Sequence, residues 1–351
     1  MELSSLLTHM AQQQASDMLL KVGSPPLLRI MGDLMPSKLA AVSPDDIRGI
    51  ITGILTPYQW QRFQEELELD FAYNLPGTGR FRVNVFQQRG SLSMVFRLVP
   101  ERIPGIDELG FPAVLKEIAM RPRGLVVITG PAGCGKSTTQ AAMIDYRNAY
   151  DPCHIMTVED PVEFVHSDKK AIVNQRELGR DTLTFADALK YVLRQDPDVI
   201  LIGEMRDLET IQLAITAAET GHLVLATLHT TDAVQTIDRI IDVFPTHQQD
   251  QIRMQVAVNF VAVISQILVK RADGRGRIAA YEIMTGTGAV RNLIREAKTY
   301  QLQSLIQTSV KQGMTTLNLS LANLYRRNLI TLDEAISKST DPDNFRQILK
   351  S

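Results

Sequence analysis

The stretch GPAGCGKSTT, Gly130 to Thr139, sets two glycines, a lysine and a serine in the spacing G-x-x-x-x-G-K-[ST]. An apolar run, LVVIT, precedes it and a helical stretch, STTQAAMIDY, follows. That context turns backbone N–H groups and a helix N-terminus toward an anion. The expected ligand is the triphosphate of a nucleotide. Backbone from Gly130 through Ala132, Gly133, Cys134 and Gly135 to Thr138 forms the cradle, Lys136 bridges the β- and γ-phosphates, and Ser137 ligates Mg²⁺.

Hydrolysis also needs a carboxylate near the metal and a group that orients or deprotonates water. Three further apolar runs end in such groups. HIMTV is followed by Glu159, Asp160 and, past Pro161, Glu163; VILIG by Glu204, Arg206 and Asp207; HLVLATL by His229. Ligands of open parallel sheets bind beyond the carboxyl ends of the strands, so these groups belong to the rim that holds the loop. Glu204 stands in the metal-holding position, although Asp is commoner there, and Glu163 or Glu159 can serve the water. His229 can reach a γ-phosphate. His222 lies seven residues earlier, about 23 Å away at strand rise and on the opposite face, so the two cannot share a metal ion. Taken alone, His222 reads as structural.

The elements that must position these groups are legible in outline. Short apolar runs alternating with helical stretches predict an α/β core with a parallel sheet. Residues 1–100 read as a separate α+β unit. In RFRVNVF, Phe81, Val83 and Val85 alternate with Arg80, Arg82 and Asn84, giving a strand with one apolar and one cationic face. Solvation is the ordinary fate of such arginines. Charge on a γ-phosphate, however, is commonly met by an arginine from a neighbouring domain or subunit. Arg82 and Arg97 are the candidates, which motivates a ring with nucleotide at each seam. The proline-rich residues 101–121 read as a linker, 122–272 as the ATPase core, and 273–351 as a mostly helical region. AVNFVAVISQILV (Ala257 to Val269) is too short for a membrane span, carries Asn259, Ser265 and Gln266, and is expected to be a buried helix.

Composition narrows the function classes. The chain has 351 residues, 44% hydrophobic and 22% charged, with a net charge of −2, which argues against a surface built to wrap nucleic acid. The aromatic-basic motifs of single-strand binders are missing, which weighs against a RecA-like nucleic-acid translocase. No N-K-x-D motif supports a GTPase. Two cysteines, Cys134 and Cys153, cannot make a disulfide framework or a four-cysteine zinc site, and they suit a reducing cytosol. The polar N-terminus lacks the pattern of a secretory signal. The expectation is a cytoplasmic protein without direct membrane insertion.

GPAGCGKSTT, TVEDPVEF, VNQRELGRDT, DPDVILIGEMRDLETI, AAETGHLVLATLHTTDAVQTIDRIIDVFP and AVRNLIRE occur in this order. Together they resemble the secretion-ATPase superfamily and, within it, its pilus-retraction branch, over nearly the whole chain. The resemblance implies a homohexamer whose subunits join a PAS-like N-terminal domain to a RecA-like P-loop core with a helical C-terminal tail. It implies that Glu159, Asp160 and Glu163 form an acidic box with Glu163 as catalytic carboxylate, and that Glu204 closes an atypical Walker B strand. It places His222 and His229 in a histidine box, which raises His222 to a candidate catalytic residue, and makes Arg82 and Arg97 nucleotide contacts. AVRNLIRE (Ala289 to Glu296) would serve retraction rather than hydrolysis. The implied partners are an inner-membrane pilus platform protein and a paralogous retraction ATPase, at the cytoplasmic base of a pilus machine.

Pilus-extension enzymes of the superfamily carry an extra N-terminal domain and a four-cysteine zinc motif, whereas this chain starts at the PAS-like unit. Two features depart from the retraction pattern. The loop reads A-G-C where T-G-S is common, and YRN in MIDYRN and RQ in LRQDPD are similar to the accessory retraction paralogue.

Overall fold

Alternation of apolar and polar residues builds the first sheet. In the computed structural model, which describes residues 2–30, 32–99 and 102–350, this sheet comprises β1 (Asp17–Lys21), β2 (Leu27–Ile30), β3 (Asp33–Pro36), β4 (Glu68–Leu75), β5 (Gly79–Gln88) and β6 (Ser91–Val99). The order is β3-β2-β1-β6-β5-β4, antiparallel throughout. Phe81, Val83 and Val85 of β5 are buried with Met94 and Phe96 of β6. Helices α1 (Leu3–Gln12), α2 (Pro44–Ile54) and α3 (Pro57–Glu66) add Leu7, Ile47, Ile51 and Phe63 to this core. Two capping boxes start α2 and α3: Ser43 with Asp46, and Thr56 with Gln59, each followed by proline at the first helical position.

The opposite face carries the cationic row. Register places Arg29, Asp17, Arg97 and Arg82 side by side across β2, β1, β6 and β5. Arg97 Nε donates to buried Asp17 at 2.8 Å, Arg29 lies 3.9 Å from the same carboxylate, and Arg82 lies 3.7 Å from Asp70. The arginines are thus held in place by carboxylates of their own sheet.

A second sheet contains β7 (Gly124–Thr129), β8 (His154–Glu159), β9 (Ile172–Glu177), β10 (Val199–Ile202), β11 (Leu223–Leu228), β12 (Phe260–Lys270) and β13 (Arg277–Thr285). Its order is β13-β12-β7-β11-β10-β8-β9, parallel except for the edge strand β13. The central strands are buried on both faces, which is why they read as continuous apolar runs. Val127, Ile200, Ile202 and Val224 face one core, and Val126, Ile128, Leu201 and Leu225 the other. Gly124, where β7 begins, has no side chain because the Asn259 carbonyl lies 2.7 Å from where a Cβ would stand. Around this sheet lie α4 (Val114–Ala119), α5 (Lys136–Tyr150), α6 (Phe185–Val192), α7 (Leu208–Glu219), α8 (Ala233–Asp242) and α9 (Thr246–Asn259), followed by α10 (Gly288–Arg295), α11 (Leu302–Thr308), α12 (Leu317–Arg326), α13 (Leu332–Lys338) and α14 (Pro342–Lys350). Among the described residues no helix is long and apolar enough to cross a membrane.

The chain divides into two compact units: residues up to Arg102 with Pro161–Val165, and Ile103–Asp160 with His166 onward. Two expectations change here. The stretch 101–121 was expected to be a linker, yet from Ile103 it belongs to the second unit. Ile106, Phe111, Leu115 and Ile118 are buried against Val126 and Ile128, and Phe111 stacks on Tyr281 with ring centroids 5.0 Å apart. The expected buried helix over Ala257–Val269 is helical only to Asn259; from Phe260 it is β12. A strand covered on both faces shows no alternation, so periodicity could not tell it from a buried helix, while Val261, Val263 and Ile264 favour a strand.

Candidate functional site

The Gly-rich stretch turns from the end of β7 into α5. Gly130 sits at φ +139°, and a Cβ there would lie 2.7 Å from Cys134 Sγ and press on the Gln266 carbonyl. Gly135, at φ +91°, leads directly into α5, whose first turn has no side-chain cap. Its leading N–H groups are therefore directed to whatever anion the loop holds. Ala132 and Gly133 are exposed, and Gly135, Lys136, Ser137 and Thr138 are half-buried. Cys134 is buried with its sulfur against Gly130, and burial pushes its thiol up.

Four residues, one opening α5 and three following β10 and β11, form one polar chain. Lys136 Nζ donates to the Gly130 carbonyl at 2.8 Å and the Pro131 carbonyl at 3.1 Å, and lies 3.5 Å from His229 Nδ1. His229 Nε2 is 3.0 Å from Glu204 Oε1, and Arg206 meets Glu204 Oε2 at 2.7 Å. These contacts fit the imidazole tautomer that donates from Nε2 and accepts at Nδ1. Burial raises the Glu204 carboxyl, but the hydrogen bond and charge of Arg206, helped by His229 and Lys136, outweigh it and hold the group below its ordinary value. Glu204 therefore stays ionised beside the lysine.

Next to it, Gly203 lets β10 approach β8: a Cβ there would stand 3.2 Å from Glu159 Cα. Glu159 accepts from Thr157 Oγ1 at 2.6 Å and from Gln175 Nε2 at 3.1 Å, so scaffold groups fix its direction. Lys136, Glu204 and His229 are thus brought together, with Glu159 on the neighbouring strand end. His222 is not. It sits at the amino end of β11, where Nδ1 is 2.9 Å from the Ala217 carbonyl and 3.3 Å from Thr220 Oγ1. Glu163 falls in the short segment Pro161–Val165 that groups with the first unit, and Arg82 and Arg97 lie on the sheet of that unit.

Gln266 did not stand out from the sequence as a site residue. It is 2% exposed in the middle of β12, its Nε2 donates to the Cys134 carbonyl at 2.8 Å, and its Oε1 accepts from Thr139 Oγ1 at 2.8 Å. The polar pair Ser265 and Gln266 inside a largely apolar strand run was the available signal.

These donors suit a triphosphate: uncapped helical N–H groups, an ammonium and a turn whose Gly130 has no room for a side chain. Ser137 and Glu204 carry a hydroxyl and a carboxylate, the hard oxygen donor type that suits Mg²⁺. Among the described residues no group of three or more His, Cys, Asp and Glu side chains could hold a metal on its own.

Comparison with known proteins gives the same direction. The chain is 50% identical over 345 residues to the type IV pilus retractation ATPase PilT of Pseudomonas aeruginosa, covering 98% of this chain and 100% of that one. It is 41% identical to the type IV pilus ATPase PilU of the same organism, over 100% of this chain and 92% of PilU. A crystal structure of the pilus retraction motor PilT with bound ADP superposes with a TM-score of 0.92 at 44% identity, covering 99% of both chains. The family described as type II/IV secretion system protein matches residues 76–275, more than half of the chain. With a P-loop, a glutamate-ended strand and a histidine-ended strand converging on one rim, the chain belongs to the type II/IV secretion system protein family.

Proposed function

We propose that the chain is an ATPase that powers retraction of a type IV pilus. The observation that carries this reading is the chain Lys136–His229–Glu204–Arg206 at the mouth of the phosphate loop, in a protein similar over its full length to retraction ATPases. The second unit is read as a RecA-like core over 122–272 continued by a helical region over 273–351, and the first as a PAS-like domain over residues 1–100. The working form is a homohexamer on the cytoplasmic side of the inner membrane, acting on a pilus platform protein and not on nucleic acid.

In this reading, the loop N–H groups and the α5 N-terminus hold the phosphates, and Lys136 leaves its two loop carbonyls to span the β- and γ-oxygens. Ser137 and Glu204 would hold Mg²⁺, which would supply neutralisation of the phosphate charge. His229 links Lys136 to Glu204 and reads the γ-phosphate. Glu163 orients and deprotonates water, and Glu159 is the other carboxylate suited to that role. Arg82 and Arg97, already ordered by Asp70 and Asp17, meet the γ-phosphate charge at a seam between subunits. His222, bonded to Ala217, holds the helix that precedes β11.

Turnover by the purified chain is the direct test. Lys136→Ala and Glu204→Ala should each lower the ATP hydrolysis rate by about a thousandfold and leave cells piliated but unable to twitch. Turnover stimulated by DNA would favour a translocase instead. A second reading, an accessory retraction ATPase acting with a paralogue, draws on the similarity to PilU. Retraction in a strain carrying this gene alone would favour the first reading, and retraction only with the paralogue the second.

A further inference from the structure

The phosphate loop is held from behind by one buried side chain. Gln266 spans three points of the loop and its helix. Its backbone carbonyl lies where Gly130 would carry a Cβ, its Nε2 donates to the Cys134 carbonyl, and its Oε1 accepts from Thr139 in α5. A Cβ at Gly135 would stand 3.3 Å from the same Nε2. Lys136 and Ser137 lie between the two side-chain anchors, Cys134 and Thr139. The neighbouring pair Thr129 and Ser265 adds a 2.7 Å bond between β7 and β12.

A side-chain amide carries its N–H donors and its acceptor oxygen on separate atoms, so one residue can serve the Cys134 carbonyl and the Thr139 hydroxyl together, and both residues are buried. Without Gln266 the Cys134 carbonyl and the Thr139 hydroxyl lose these partners in a dry interior, and the loop gains conformations that do not fit a phosphate chain. We propose that Gln266 is a positioning residue for nucleotide binding. It holds the loop in its phosphate-receiving shape before ATP arrives, so that binding costs less ordering. The assignment rests on the ATPase reading given above.

The test uses the full-length chain and four variants, Gln266→Leu, Thr139→Val, the double variant and Lys136→Ala as the inactive reference. ADP affinity, KM and kcat for ATP, and thermal midpoint are measured for each. Gln266→Leu should weaken ADP binding and raise KM by about tenfold, the effect of losing one or two buried hydrogen bonds. Thr139→Val, which removes one of the two anchors, should raise both by about threefold. The double variant should be no worse than Gln266→Leu alone, since both changes act through the same amide.

A Gln266→Leu chain with wild-type KM and ADP affinity overturns the proposal, whether or not its thermal midpoint falls. Additive losses in the double variant overturn it too. If Gln266→Leu does not fold, Thr139→Val decides: folded and binding as wild type, it overturns the assignment; folded with weakened ADP binding, it supports it. A wild-type chain that turns over ATP no faster than Lys136→Ala defeats the ATPase reading itself, which is a different outcome from any of these.

Discussion

The two ends of β11 carry the same residue type and do different work. At the carboxyl end, His229 is exposed and lies between Lys136 and Glu204. At the amino end, His222 is half-buried and bonds to the last turn of α7. Imidazole chemistry is identical in both. What differs is the end of the parallel sheet each occupies: loops at the carboxyl ends face a shared rim, while those at the amino ends only connect elements.

Substitution can break or sharpen that contrast. The largest effect is expected for His229→Ala, which separates Lys136 from Glu204 and should lower kcat by about a hundredfold with folding intact. A variant that turns over ATP as wild type would reduce His229 to a bystander. The next effect concerns pH. Arg206 helps hold the Glu204 carboxyl low, so the ion pairs made by Glu204 persist above the unfolded carboxyl value and are lost as pH falls through the lower folded one. Arg206→Ala should therefore move the acid limb of the rate profile toward neutral pH; a profile that does not move would separate Arg206 from the polar chain. The smallest effect is expected for His222→Ala. It should change turnover by less than about threefold and cost about 1 kcal/mol of stability, read by denaturant unfolding, because one hydrogen bond to a helix end is lost. A large loss of turnover at unchanged stability would give both ends of the strand a role in catalysis.

The same contrast explains what the sequence disclosed. Lys136 and Ser137 are fixed by a local pattern, and Glu204 and His229 follow apolar runs that could only be strands of a buried sheet. Their convergence was legible because strand ends of a parallel sheet share a rim. Strand β12 was not, since a run buried on both faces has neither helical nor strand periodicity. The stretch 101–121 misled for another reason: its prolines and glycines mark turns, and turns can be packed, as Phe111 against Tyr281 is. The capping boxes at Ser43 and Thr56 were readable signals for α2 and α3. The partnership of Gln266 with Cys134 and Thr139 joins residues more than a hundred positions apart, and no local pattern encodes it.

Gly124 and Gly130 bracket β7, and at both the backbone of the neighbouring segment or strand occupies the space of a side chain. A chain selected only for folding would therefore tolerate almost no variation at these two sites, whereas Lys136, Glu204 and His229 could drift freely. A chain selected for turnover would conserve all five. Comparing the two kinds of selection in a mutational library would sort the residues that build this motor from those that fire it, without a nucleotide ever being seen.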